Sequence, residues 1–545
     1  MKVADLLVRC LEAEGVEYVF GLPGEEILEI LHSLSHSKRI KFITTRHEQS
    51  AAFMADVYGR LTGRPGVCLA TLGPGATNLL TGIADAYLDR APLVAITGQA
   101  GLDRVHKESH QYIDVLGMFQ PVVKWNARLE HPLTVTEVVR KAFKVAQTEK
   151  PGPTHIEVPE DVAKMEIEGE PLPPQPIHYP GPNEESIQRA ATVLQEALSP
   201  LILVGNGVIR GNASQELTAL AEALHVPVAH TFMAKGCIDY QNHLSFMTVG
   251  LQSQDWVMAG LAKADVVVAA GYDMVEYAPS KWNSEGKKRI IHIDTMPAEV
   301  DAHYQPEVEI VGDIGEALAA LRHSCKVRRP MEGHVALRET ILSELSLFAQ
   351  DTTLPMKPQK VLADLRRALR PQDIVVSDVG AHKLWVARMF PAHQPNTVII
   401  SNGFASMGIG LPGAIAAKLV YPERRVVVVV GDGGFLMNCQ EMETARRLGV
   451  PLVVVVWVDG AYGVVEWNQK RHYGETFGVS FSNPDFVRLA QAFDFEAYKP
   501  QTATDFLPLL QHCLESQGPC LIEVPIDYGQ NQWLTERLGS IIQPL

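Results

Sequence analysis

The sequence predicts an α/β protein of three doubly wound parallel-sheet domains, the first and third of similar topology, and three observations carry that prediction. The first is size with punctuation. A chain of 545 residues is too long for one hydrophobic core, and two stretches read as linkers, the proline-rich "EGEPLPPQPIHYPGPNEES" near 168–186 and the charged "CKVRRPMEGH" near 325–334. Domains of ordinary size are therefore expected over 1–168, 186–325 and 355–545. The second is that short β-branched runs alternate with helical patterns in every block: "GVCLATLG" and "APLVAITG", then "LILVGNG", "ADVVVAAG" and "RIIHID", then "DIVVSDVG", "RVVVVVGDGG" and "PLVVVVWVDG". Continuous apolar strands between helices belong to parallel sheets covered on both faces. The third is an internal repeat. "VCLATLGPGATNLLTGIADAYLDRAPLVAITG" and "VVVVVGDGGFLMNCQEMETARRLGVPLVVVVWVDG" each run strand, G-x-G turn, helix, proline, strand, with Gly73 and Pro92 spaced almost as Gly431 and Pro451 are.

Composition narrows the function classes. Apolar content of 46% and charged content of 20% are those of a globular enzyme. A formal charge of −15 argues against a nucleic-acid partner, which needs a basic face. No run approaches the ~20 apolar residues of a membrane helix, so no membrane partner is expected. The opening "MKVADLLVRCLEAEGVEYVF" spaces Asp5, Arg9, Glu12 and Glu14 among apolar residues as a folded helix does, not as a signal peptide, and a cytoplasmic location is expected. Seven scattered cysteines without a C-x-x-C pair are read as reduced, mostly buried thiols.

The chemistry is written at two strand ends. In open parallel sheets ligands bind beyond the carboxyl ends of the strands, and Asp432 and Asp459 close successive apolar runs. Gly433 and Gly434 let backbone approach an anion, but carboxylates beside a phosphate cradle would repel it unless a cation lay between. A hard cation such as Mg²⁺ takes oxygen ligands and bridges carboxylates to phosphate oxygens. Taken alone, a GDG turn is more often a helix start than a metal site. Glu48, after an apolar strand and at the head of a helix, reads alone as a favourable charge at a helix N-terminus. Met407 reads alone as core filling, and His382 as a surface or capping residue.

Together these motifs resemble the thiamin diphosphate enzymes, whose pattern is GDG, an interval of this length, then an asparagine or aspartate. The resemblance covers essentially the whole chain. It implies thiamin diphosphate held through Mg²⁺, with Asp432, Asp459 and the main-chain oxygen of Ala461 as metal ligands. "RHEQSAAFMADVYGR" matches the family segment whose glutamate, here Glu48, hydrogen-bonds the pyrimidine ring and starts a general-base relay. Further cofactor contacts are implied at Pro74, Asn78, His382, Ala405, Met407, Gly431, Gly433, Gly434 and Tyr462. In "KESHQYID", His110 and Gln111 match a substrate-side pair. Because that family builds each site from two subunits, a homodimer or homotetramer with sites between subunits is implied.

Within the family the chain is most similar to acetolactate synthases of the FAD-independent, catabolic type, through "GYDMVEYAPSKWN", "IIHID", "HYQPEVEIVGDI" and "EVPIDYGQN". The implied reaction joins two pyruvates into 2-acetolactate with release of CO₂. Two departures bear on the substrate: catabolic synthases carry glutamine at the positions of Ala405 and Asn468. The alternatives are a decarboxylase or carboligase of another 2-oxo acid, a flavin-linked pyruvate oxidase using the glycine-rich "LILVGNGVIRG", and a silent binding paralogue.

Overall fold

The strand runs read from the sequence form three six-stranded sheets in a computed structural model that describes residues 1–250, 255–327, 332–531 and 534. Part of the second predicted linker, 328–331, and most of the chain's end, 532–533 and 535–545, lie outside the described residues.

The first sheet comprises β1 (Tyr18–Gly21), β2 (Lys41–Thr44), β3 (Gly66–Ala70), β4 (Leu93–Gln99), β5 (Trp125–Arg128) and β6 (Pro153–Pro159). The central sheet comprises β7 (Pro200–Val204), β8 (Val228–His230), β9 (Ser245–Thr248), β10 (Val266–Ala270), β11 (Arg289–Asp294) and β12 (Val308–Val311). The third comprises β13 (Ile374–Ser377), β14 (Val398–Ile400), β15 (Val426–Gly431), β16 (Val453–Val458), β17 (Glu496–Tyr498) and β18 (Cys520–Pro525).

All neighbouring strands in the three sheets pair in parallel. The first sheet is ordered β2-β1-β3-β4-β6-β5 and the third β14-β13-β15-β16-β18-β17, which is the same order counted from the first strand of each. The predicted shared topology is therefore observed. The central sheet runs β12-β11-β10-β7-β8-β9, the doubly wound order of dinucleotide-type folds. Interior strands such as β4 and β10 are buried along their whole length, as continuous apolar runs require.

The helix Glu48–Thr62 ties the first domain to the third. The ring of His47 accepts the Gln49 N–H at its start, and Gly63, at φ 68°, ends it in the left-handed conformation that glycine adopts without penalty. Between those ends nearly every residue is buried. One side packs on the helix Pro74–Leu88 and another on the helix Gly410–Val420, so Phe53 and Val57 share a single apolar cluster with Ala414 and Ile415. Each fully buried side chain of this kind contributes roughly 1.5–3 kcal/mol. Ion pairs of Asp273 with Arg90 (2.9 Å) and Lys150 (3.2 Å) join the first and central domains, and Arg388 pairs with Asp255 between the third and central ones. All seven cysteines are free thiols, five of them buried. Among the described residues no helix is long and apolar enough to cross a membrane.

The spacing of the helices Glu48–Thr62 and Pro74–Leu88 depends on Gly82, where an added Cβ would lie 2.5 Å from the Ala52 Cβ and 3.1 Å from its backbone. Gly82→Val is expected to destabilise the chain by about 1–3 kcal/mol, the usual cost of overpacking a core. A urea unfolding midpoint equal to that of the wild type would show that these helices can separate freely.

Candidate active site

Adjacent strands set the geometry of the third-domain half of the site. β15 and β16 pair with Gly431 opposite Trp457, so Asp432 and Asp459 emerge side by side at the carboxyl edge. Asp432 is buried, and its Oδ2 accepts the N–H groups of Gly460 (2.8 Å) and Asp459 (3.2 Å) and the side-chain amide of Asn483 (2.8 Å). Its Oδ1 accepts the Gly433 N–H at 2.8 Å. Asp459 keeps accessible surface at the cavity mouth. Partial loss of water and the facing Asp432 carboxylate push its carboxyl up to about 7.

These carboxylates open onto a cavity of about 300 Å³ lined by segments 379–384, 431–434 and 461–465 together with Met407, Asp459 and Tyr528. Two mutually repelling carboxylates and the main chain of Ala461 at one wall fit a divalent cation with oxygen ligands. Among the described residues no three His, Cys, Asp or Glu side chains converge as a metal site, so a carbonyl would have to complete the protein's donors. Deeper in, burial pushes the His382 imidazole down to about 3, and its neutral ring leaves the buried Nε2 without a protein partner. That orphaned nitrogen is suited to a ligand oxygen. A side chain at Gly433 would press on the Tyr462 ring at 2.9 Å and one at Gly434 on Asp378 Oδ1 at 2.6 Å, so the bare backbone there is required. The residues present thus fit a metal-bridged diphosphate, with Met407, Leu384 and Val465 supplying an apolar wall.

Met407 follows a segment of unusual backbone. Ala405 adopts φ 57°, a left-handed conformation rare for a residue with a side chain. Buried Asp378 accepts the N–H groups of Gly408 and Gly410 and so fixes the chain just after Met407.

The first-domain residues form a separate group. Glu48 is 6% exposed and accepts a hydrogen bond from Asn78 Nδ2 at 2.9 Å, across the two packed helices. Gly73, at φ 52°, brings its turn against the main chain of Gln111, which itself has φ 58°; a Cβ at Gly73 would meet the Gln111 oxygen at 2.8 Å. Pro74, His110 and Gln111 are exposed. None of Glu48, Pro74, Asn78, His110 and Gln111 lines the third-domain cavity of the same chain, nor does Ala405. Asn468 lies exposed on the helix Gly463–Tyr473 and does not line it either.

Sequence reasoning did not single out Asn483, Tyr528 or Lys383 among the residues that surround this cavity. Nothing in "SFSNPDF" marks Asn483 as the partner of a carboxylate fifty-one positions earlier. The central glycine-rich turn also differs from a free phosphate cradle. The Asn206 N–H donates to both oxygens of Glu276 (3.0 and 3.2 Å), and the Thr231 hydroxyl bonds the same carboxylate. Burial pushes Glu276 up to about 7. An internal acid thus fills the place that a phosphate takes in a nucleotide-binding turn.

The raised Asp459 carboxyl yields a test that needs no activity. Its protonated form stabilises the fold below the ordinary value near 3.8, and that contribution is lost as pH rises towards about 7. Asp459→Asn is therefore expected to melt higher than wild type at about pH 8 and to lose most of that advantage at about pH 4. Added Mg²⁺ should raise the melting temperature of the wild type more than that of the variant. Equal Mg²⁺ stabilisation of both proteins would remove Asp459 from the donor set.

Comparison with known proteins agrees with this architecture. Residues 1–118 match the thiamine pyrophosphate enzyme N-terminal TPP binding domain, 187–321 the central domain and 378–524 the C-terminal TPP binding domain. The chain is 35% identical to a probable acetolactate synthase large subunit of Methanocaldococcus jannaschii, covering 100% of this chain and 96% of that one. It is 35% identical to the acetolactate synthase of Bacillus subtilis over 97% of this chain and 94% of that one. A catabolic acetolactate synthase of Raoultella terrigena is 35% identical over 98% and 97%. Matching family domains on all three sheets, and relatives aligned along nearly the whole length, place this chain in the thiamine pyrophosphate enzyme family as an enzyme of the acetolactate synthase type.

Proposed function

We propose that the chain is a thiamin diphosphate- and Mg²⁺-dependent carboligase that condenses two pyruvates to 2-acetolactate and releases CO₂. The observation that carries this reading is the pair Asp432 and Asp459 at adjacent strand ends, opening onto a cavity with bare glycine backbone and an orphaned His382 nitrogen. When bound there, thiamin diphosphate would supply the nucleophilic carbon and the electron sink for decarboxylation of a 2-oxo acid.

The chain's own residues have definite tasks in this reading. Asp432, Asp459 and the Ala461 carbonyl would hold Mg²⁺, with Asn483 fixing the Asp432 carboxylate as metal-ligand neighbours do. Gly431, Gly433, Gly434 and His382 would receive the diphosphate, and Met407 and Tyr462 would wall the rings. Glu48, oriented by Asn78, would hold or move a proton at the pyrimidine nitrogen. Pro74 would contact the cofactor, and His110 and Gln111 would lie at the substrate end.

The site is completed between copies of the chain in this reading. Glu48 and its exposed neighbours do not line the chain's own cavity, and Phe404, Leu436, Met437 and Tyr462 leave apolar surface at 37–45% exposure on the third domain. A homodimer is the smallest assembly that joins the two halves. Glu276, which accepts the Asn206 N–H of the central glycine-rich turn, supports a flavin-independent reaction. A second reading, another 2-oxo acid as donor or acceptor, is favoured by the small Ala405 at the position where catabolic synthases carry glutamine.

The purified chain with thiamin diphosphate, Mg²⁺ and pyruvate, and no added flavin, is expected to consume two pyruvates per acetolactate formed. Acetaldehyde without acetolactate would replace the carboligase with a decarboxylase. Glu48→Gln, which keeps the size of the side chain but removes its ionisable group, is expected to bind cofactor and lose turnover by a factor on the order of 10²–10⁴. Undiminished turnover would exclude Glu48 from the proton relay.

A further inference from the structure

Two helices of the first domain carry a second, buried polar group that no step above uses. The helices Glu48–Thr62 and Pro74–Leu88 run side by side in the same direction, Asn78 bonding Glu48 and Gly82 lying against Ala52. One turn further on, Asp56 meets Asp85. Asp56, Asp85 and Asp89 are fully buried. Burial and the Asp85 carboxylate hold the Asp56 carboxyl well above its ordinary range. Asp85 is pushed up to about 7 by burial and by Asp89.

The remaining bonds of this group all go to one segment of the third domain. The Ser401 hydroxyl donates to Asp85 Oδ1 at 2.6 Å, and the Ser406 N–H reaches the same oxygen at 3.3 Å. The N–H groups of Asn402 (3.0 Å) and Gly403 (2.6 Å) donate to Asp89. Arg60 pairs with Asp89 at 3.1 Å and donates to the Ile400 carbonyl at 2.7 Å. Gly403 has no room for a side chain, since a Cβ there would lie 2.9 Å from the Leu88 backbone oxygen. Lys383, buried beside the cavity, faces Asp89 and Asp85, and burial pushes its amine down to about 8. Asp56, Asp85, Asp89, Arg60 and Lys383 are the titratable and charged groups gathered here.

We infer that Asp85 and Asp89 are positioning residues that clamp segment 400–406 and thereby set the left-handed Ala405 and the Met407 wall of the cofactor cavity. This rests on the reading that Ala405 and Met407 face thiamin diphosphate. The clamp uses backbone N–H groups and one serine hydroxyl, so it fixes the course of the main chain and not merely a side-chain contact. Asp85 sits on the helix that carries Asn78 and Asp89 caps its end, while Arg60 sits on the helix that carries Glu48. The same two helices therefore orient Glu48 at one end and hold the chain's own cofactor wall at the other.

The test is hydrogen exchange on the full chain without cofactor, comparing wild type, Asp85→Ala and Asp85→Asn. In Asp85→Ala the amides of 401–406 are expected to exchange at least about tenfold faster while those of β15 stay as in wild type, the pattern of local and not global opening. Asp85→Asn keeps an acceptor for Ser401 and turns its amide towards Asp56, and is expected to restore slow exchange. Thiamin diphosphate affinity, titrated with Mg²⁺ present, is expected to fall about tenfold in the alanine variant and recover in the asparagine variant, the range seen for residues that orient a ligand group indirectly. Ser401→Ala removes the hydroxyl's bond to Asp85 and its acceptance of the Ser406 N–H (3.1 Å), and serves if Asp85→Ala does not fold. Unchanged exchange over 401–406, or an equal rise in β15, overturns the clamp; faster exchange with unchanged cofactor affinity overturns its link to the cavity. Failure of the wild type to bind thiamin diphosphate would instead sink the functional reading, while the exchange result still decides whether Asp85 holds the segment.

Discussion

A helix buried on every side that carries charged groups is the constraint from which the rest of this molecule follows. The segment Glu48–Thr62 lies among the first sheet, the helix Pro74–Leu88 and the third-domain helix Gly410–Val420, and it brings Glu48, Asp56 and Arg60 into that interior. Each such group must find a partner or lose its charge. Glu48 receives Asn78, the Asp56 carboxyl is held well above its ordinary range by burial and by Asp85, and Arg60 meets Asp89 and the Ile400 carbonyl. Apolar residues of similar volume would stabilise this interior at least as well. The polar content therefore specifies geometry: it dictates which helices lie together and which segment of the third domain they hold.

The duplicated topology gives the first and third domains the same strand order but not the same edge chemistry. In the third, β15 and β16 deliver two carboxylates and a pair of glycines, an arrangement that gathers oxygen donors around a cation. In the first, the turn after β3 carries Gly73 and Pro74, which admit the main chain of Gln111 closely, and the carboxylate comes from a neighbouring helix. Similar folds thus offer complementary surfaces, one lined with anions and open backbone, the other with a single shielded acid. Within one chain these edges do not share a cavity.

Much of this was legible in the sequence because it depends on local pattern. Valine runs of strand length flanked by helical periodicity announce buried parallel strands, and the matched spacing of Gly73 with Pro92 and Gly431 with Pro451 announces the repeated topology. The aspartates following successive runs had to emerge side by side once those runs paired. What stayed hidden depends on contacts between distant segments. Asn483 reaches Asp432, Glu276 reaches the Asn206 N–H, and Asp85 reaches Ser401 across more than three hundred positions. None of these has a sequence period or a fixed offset, because each is set by how sheets and domains pack. Residue type alone favours the bland reading there: an aspartate seven positions after Asn78 looks like one more helix-surface charge until burial is known.

Charge balance explains why the cavity is built as it is. A chain of net charge −15 that receives a diphosphate might be expected to meet it with arginine or lysine. Lys383, the cation among the described residues lining this cavity, is already engaged by Asp85 and Asp89. What remains for an anion is neutral: the backbone of Gly433 and Gly434 and the uncharged His382 ring. Among the described lining residues the remaining charged groups are Asp432 and Asp459, of the wrong sign for phosphate. Under the proposed function such a site would reject a bare anion and accept one that arrives with a divalent cation, so that retention of the ligand and coordination of the metal would become a single event. That coupling would account for two repelling carboxylates at the mouth of the cavity, since a bound cation would relieve the repulsion that otherwise raises the Asp459 carboxyl.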